Sequence, residues 1–305
     1  MPAGTATTDR PLEAWLRSAW PVRVAWFLLP LLAGPGLASA LEDRSGSVRL
    51  VAQVGLWAGW VVALVATLVP TTVSLTALRI LAPASVASVL LAAVADGRLS
   101  GGLVAAGAAC LLAAVVAFLP TTGDLMINGS AYGPERRMAL RIPAPLAIGP
   151  VQLVWLVVFA GAVTGPLLLA TGHWAVGVPV SAVGAAAAGF GGRSLHRLSR
   201  RWVVFVPAGF VLHDHFTMAE SLLMRRPDVA GLGPALRDLA GAVDLTAGAA
   251  GLALEVRLVE PARIGIRERS GDITDTDADR LVFTPSLPGV LLREAAGRGL
   301  PVHHG

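Results

Sequence analysis

His213-Asp214-His215 is the first grouping in this chain whose residue types could do chemistry. Neutral imidazoles bind transition metals, and a carboxylate can complete such a site. On an extended chain, however, His213 and His215 share a face while Asp214 points to the other. No third ligand lies nearby in sequence, so the segment reads as a surface turn after a strand. Asp275, Asp277 and Asp279 have the spacing that opens a calcium loop. That loop requires Gly at its sixth position and a bidentate Glu at its twelfth, where this chain carries Arg280 and Ser286. The stretch reads as a solvated acidic loop. His303-His304 stands at a terminus expected to fray, where metal affinity would be adventitious. Cys110 is the single cysteine, so neither an intramolecular disulfide nor a thiolate cluster can form. It reads as a small buried hydrophobe.

A nucleophile with its base, a phosphate-cradling glycine loop and paired carboxylates facing a cleft were each sought, and none is present as a convincing set. The reading is therefore non-enzymatic, with no cofactor and no metal. What remains distinctive is arginine: Arg136, Arg137 and Arg141 in one group, and Arg193, Arg197, Arg200 and Arg201 in another. Guanidinium groups suit phosphate, and these seven are expected to contact anionic headgroups at a membrane surface.

The elements that must position them follow from composition. The chain has 305 residues, of which 54% are hydrophobic and only 14% charged, with a mean hydropathy of +0.67; that is membrane composition. All 24 basic residues are Arg, a bias that suggests a high-GC coding sequence of the actinobacterial kind. Residues 202–305 hold 10 Arg against 13 Asp and Glu, a net of −3, so the positive excess flanks the membrane half, which argues against nucleic acid as a partner.

Six spans are expected: Trp20 to Ala40, Val51 to Val69, Val73 to Ala95, Gly101 to Leu119, Val151 to Ala170 and Trp174 to Phe190. Pro30, Gly34, Pro35 and Gly36 should distort the first. That span also resembles a signal peptide ending in Ala38-Ser39-Ala40, but its apolar run starts late and five spans follow, so retention is expected. No Asp or Glu lies in a span core, which disfavours an ion-coupled carrier. Short segments on the side of the two termini carry Arg10, Arg17, Arg136, Arg137, Arg141, Arg193, Arg197, Arg200 and Arg201, against Arg44, Arg49 and Arg98 on the other. The positive-inside rule then places both termini in the cytoplasm of a cell bounded by this cytoplasmic membrane. Arg79, near the start of the third span, should snorkel to the headgroups.

The expected organisation is an N-terminal cytoplasmic segment 1–19, a span domain 20–192, a basic hinge 193–201 and a cytoplasmic domain 202–305. Within the span domain the 120–150 connection is long, rich in turn residues and basic. It reads as a solvated loop; the alternative is a basic arm for anionic lipid or for the acidic domain. Arg137, Ala139 and Arg141 alternate with Met138, Leu140 and Ile142 at the period of a strand. Asn128-Gly129-Ser130 matches a glycosylation sequon, without weight on a cytoplasmic segment.

After Trp202 the period is that of strands and turns. Val203 to Val206, Pro207-Ala208-Gly209 and Phe210 to Leu212 make a hairpin. Leu222 to Arg226, Ala253 to Val259, Arg263 to Arg267 and Arg280 to Thr284 are further strands, and Pro288 to Arg298 a closing helix. The hairpin from Arg201 to Asp214, the Leu222 strand and Leu281-Val282-Phe283-Thr284-Pro285 leading into the helix resemble a bacterial pleckstrin-homology-like domain, over about a third of the chain. The whole is similar to actinobacterial multi-pass membrane proteins that append such a domain to a span bundle. The expected fold class is thus an α-helical membrane bundle of about six spans followed by a small α+β domain. The resemblance implies a scaffold for protein or lipid contact: a membrane protein whose cytoplasmic domain recruits or regulates a protein partner. Phosphoinositide-type binding is not expected of a net-acidic domain without Lys. The alternative function is an uncoupled transporter or lipid-handling protein with its pathway in the bundle, motivated by Pro30, Pro83, Pro166 and Pro179.

Overall fold

The apolar runs form helices because helical hydrogen bonding satisfies every backbone group without water. The computed structural model describes Trp15 and residues 18–235, 241–268 and 271–303. Six helices in it are long and apolar enough to cross a membrane: Trp20–Ala40, Gly46–Leu68, Thr72–Asp96, Gly101–Phe118, Ala144–Ala170 and Trp174–Leu198. This is the make-up of a multi-pass integral membrane protein. Arg10 and Arg17 lie outside the described residues.

The chain divides into two compact units, one of Met1–Val69 with Ala77–Leu125 and one of Pro70–Thr76 with Met126–Gly305. In the first unit, the expected distortion of the first span is a break: helix Trp20–Leu32 stops at Ala33 and a new helix runs Gly34–Ala40. Gly36 lies against the backbone of Gly102 in the fourth span, where an added Cβ would collide with the Gly102 carbonyl. Close approach of small residues is how helices associate in lipid. The first and second spans exchange a reciprocal pair of hydrogen bonds: Trp26 Nε1 donates to the Trp60 carbonyl at 3.0 Å and Trp60 Nε1 to the Trp26 carbonyl at 2.9 Å.

In the second unit the fifth and sixth spans pack just as closely. An added Cβ on Gly184 would fall on the Gly161 backbone, one on Gly165 on Ser181, and one on Gly177 on Leu169. The sixth span helix runs two turns beyond the expected Phe190, to Leu198, so most of the basic hinge is helix. Arginine favours helix, and the change in composition marks the end of the apolar run, not of the helix.

The 120–150 connection is ordered, which corrects its reading as a solvated loop. Pro120–Asn128 is a helix, Arg136–Ala139 a strand, β1, and Ala144–Ala147 a helical turn. β1 pairs antiparallel with β2, Arg201–Val206, in the register Met138 to Val203. β3, Gly209–Asp214, and β4, Leu222–Arg225, complete a sheet of order β1-β2-β3-β4. The second sheet holds β5, Val229–Pro234, β6, Val243–Asp244, β7, Leu254–Arg267, and β8, Ile273–Phe283, in the order β5-β7-β8-β6. The two strands expected at 253–259 and 263–267 are one, β7, with a register shift between Arg257 and Ala262. The closing helix is Pro288–Gly297.

One apolar core joins both sheets and the closing helix. Met138, Val203, Phe205, Phe210 and Leu212 enter it from the first sheet, Leu232, Leu254, Val256, Leu281 and Phe283 from the second, and Leu291 and Ala295 from the helix. The expected order of short strands and a final helix is present, with β1, β5 and β6 added to it. β1 comes from before the fifth span and β2 from after the sixth, so the connection between two neighbouring strands of one sheet is a pair of spans.

Candidate membrane-surface site

The seven arginines singled out in the sequence occupy different environments. Arg193, Arg197 and Arg200 are exposed. Their spacing of four and three residues puts them on one face of a helix, and the turn continues to Arg200, whose N–H donates to the Arg197 carbonyl at 3.2 Å. Cations here meet the negative end of the helix dipole. Beside them the helix turns inward: the half-buried His196 has its Nδ1 2.9 Å from Thr76 Oγ1, which donates to the Oγ of the buried Ser199 at 3.2 Å.

Arg201, one position further, is turned inward. Its side chain is 2% exposed and that of Asp214 1%. Arg201 Nε donates to Asp214 Oδ1 at 2.8 Å and Nη2 to Oδ2 at 2.6 Å, a forked charge-assisted pair. Nη1 donates to the Arg141 carbonyl at 2.8 Å, and Asp214 also accepts from the Phe216 N–H and the Thr217 hydroxyl. Arg201 therefore clasps the end of β1, β2 and the turn after β3 together; its expected place at a lipid surface is corrected by this burial. Alternation explains it, since Arg201, Val203 and Phe205 share the core face of β2.

β1 carries Arg136 and Arg137, both half-buried. Arg137 pairs with Glu135 at 3.3 Å, its guanidinium lies 5.9 Å from the Trp202 ring centroid, and its N–H donates to Asn128 Oδ1 at 3.0 Å. The sequon asparagine is thus engaged in holding β1. The Arg141 side chain is exposed and lies beside Gly251, while its N–H donates to the Thr284 carbonyl.

The histidines lie on the same sheet. His213 stacks on Trp202 at 4.8 Å between centroids, stands 6.0 Å from His215, and shares a 2.6 Å hydrogen bond with Ser221 Oγ. Burial depresses the affinity of His213 for a proton, and the charges of His215, Arg200 and Arg137 add to that against the opposing Asp214. His215 is depressed in the same way, first by burial and then by Arg200, Arg197 and Arg201, again against Asp214. Asp214 is committed to Arg201, and among the described residues no three His, Cys, Asp or Glu side chains come together as metal ligands. The end of the sixth span and the neighbouring end of the first sheet thus gather Arg197, Arg200, His213 and His215 in one positive field.

Two further readings are corrected. Asp275, Asp277 and Asp279 belong to strand β8, not to a loop, and Asp275 pairs across the hairpin with Arg263 at 2.7 Å. The terminus does not fray at His303: its N–H donates to the Leu232 carbonyl, Leu232 N–H donates to the Pro301 carbonyl, and the ring lies over Gly231 and Gly233. His304 is outside the described residues.

One buried charge escaped the sequence reading. Glu255 in β7 is fully buried and accepts from Arg280 and, at 3.3 Å, from Arg257. Burial alone would raise its carboxyl; the two guanidinium groups outweigh that and hold it below the usual range. The signal was present in Glu255 and Arg257 two apart in a strand, which puts them on one face.

Comparison of the chain with protein-family models, with curated proteins and with solved structures gives no match.

Proposed function

We propose that this chain is a non-enzymatic protein of the cytoplasmic membrane, with both termini in the cytoplasm, whose pleckstrin-homology-like domain is held at the membrane to recruit or regulate a partner protein. The observation that carries the reading is the insertion of the fifth and sixth spans between β1 and β2. A domain tethered by one flexible linker samples many orientations. This one is joined to a span helix at both ends of that insertion, and the Arg201 clasp ties the two ends to each other. Such a mount presents one chosen surface of the domain, which a recruiting scaffold needs and a solvated appendage does not. Arg193, Arg197 and Arg200 contact anionic headgroups, each contributing about 1 kcal/mol near the surface. Arg136, Arg137 and Arg141 add to the positive field at the base of the domain.

The test is site-specific photocrosslinking of the full-length protein in its native host. Probes go at exposed apolar positions of the domain, Leu223, Val259 and Ile273, and at lipid-facing Val54 and Val104 of the spans. A discrete protein adduct from the domain positions is expected. Adducts confined to span positions would sink the recruitment reading and promote a function in the bundle.

A further inference from the structure

Arg79 is a charge placed where none is cheap. It is the eighth residue of the third span helix, Thr72–Asp96, about 10 Å along the axis at 1.5 Å per residue. On its own face of the helix Leu75 and Ala82 are fully buried and apolar. Across all six spans the only described carboxylate is Asp96, at the far end of this same helix.

Instead of snorkelling clear, the side chain lies against the helix Pro120–Asn128. Its guanidinium is 5.9 Å from the Phe118 ring centroid, and a Cβ on Gly123 would stand 3.0 Å from Nη2. Its Nε is buried and meets no hydrogen-bond acceptor among the described residues. The ring face offsets part of the charge, but a buried guanidinium nitrogen without an acceptor is costly, and a charge inside a membrane segment marks a functional site. The site is open on one side, since Phe118 is 50% exposed. Gly123 leaves free the space that a side chain would fill.

We propose that Arg79 is a phosphate-binding residue that draws the headgroup of an anionic lipid into the edge of the first unit, against Phe118 and Gly123. The planar fork of a guanidinium matches two phosphate oxygens, and the position lies within reach of the headgroup layer. The shared chemistry is a phosphate oxyanion, whose source is either a lipid or a soluble phosphate. This site is separate from the surface arginines and stands or falls independently of partner recruitment.

The experiment uses delipidated full-length protein in nonionic detergent, with Arg193→Gln, Arg197→Gln and Arg200→Gln as the common background so that surface binding does not mask the site. Phosphatidylglycerol and phosphatidylcholine are titrated by native mass spectrometry, and inorganic phosphate by thermal shift. Phosphatidylglycerol should bind Arg79→Met about tenfold to a hundredfold more weakly, the worth of a charge-assisted hydrogen bond. Gly123→Val, which keeps the charge but fills the approach, should show a similar loss. Stabilisation by inorganic phosphate that is lost in Arg79→Met, without lipid selectivity, assigns the same chemistry to a soluble source. Undiminished phosphatidylglycerol binding in either variant, with no such effect of phosphate, overturns the proposal.

Discussion

The sharpest prediction concerns β1, a strand of four residues that the C-terminal region cannot supply. A fragment of residues 202–303 lacks Met138, which is 1% exposed in the core, Leu140, which is 6% exposed, and the Arg201 that holds Asp214. Truncating one buried Met or Leu to Ala costs about 2–5 kcal/mol; losing both therefore costs on the order of 4–10 kcal/mol before the clasp is counted. A domain of this size has only about 5–15 kcal/mol in total. The fragment should consequently be unfolded or molten. A second fragment, in which residues 134–141 are joined through a short Gly/Asn linker to residues 200–303, replaces the two spans by a turn and restores both the pairing with β2 and the Arg201 contacts. Circular dichroism, amide dispersion in NMR spectra and urea unfolding compare the two. Cooperative unfolding is expected of the joined fragment alone. A 202–303 fragment that unfolds cooperatively with equal stability would refute the claim that β1 is integral to the domain.

Other outcomes follow from the buried charges and the span contacts. Asp214→Ala leaves Arg201 buried without a counter-charge and should destabilise the joined fragment by about 3–5 kcal/mol in urea unfolding; removing both partners should cost less than the single change. Glu255 has its carboxyl lowered in the fold, so its contribution is present above the unfolded value near 4.5 and lost as pH falls through the lower folded one. Glu255→Gln should flatten that acid limb of a stability-pH profile. His213 and His215 are also lowered relative to 6.5, so the unfolded chain takes up protons first and stability should decline as pH drops below about 6.5; a His213→Gln/His215→Gln variant should lose that decline. In the first unit, Trp60→Phe removes one of the two reciprocal tryptophan bonds and should lower stability in detergent by about 1 kcal/mol.

Why some of this was legible and some not is a matter of range. The six spans could be read because hydropathy accumulates along one continuous stretch, and the break near Ala33 because Pro30 and Pro35 act on their own helix. β1 showed its alternation, yet its partner lies about 60 residues on, beyond two spans, and no local signal names a partner at that distance. Arg201 looked like its exposed neighbours because charge alone does not report which face of a strand a residue takes. Only its spacing to Val203 and Phe205 did. Asp275, Asp277 and Asp279 have calcium-loop spacing and a residue type that disfavours strands; pairing with the long β7 overrides that preference.

The placement of two spans between β1 and β2 also constrains how the protein is made. About 60 residues separate the strands, so at roughly 5–20 residues per second β1 waits about 3–12 s for its neighbour. Both strands reach the same side only if an even number of spans has been threaded between them. A ribosome product in which one of the two failed to insert would leave β1 and β2 on opposite faces of the bilayer, with Met138 unburied and Asp214 alone with Arg201. The sheet thus acts as a parity check on topogenesis: its closure reports that the fifth and sixth spans are in place, and its failure leaves apolar strand unburied.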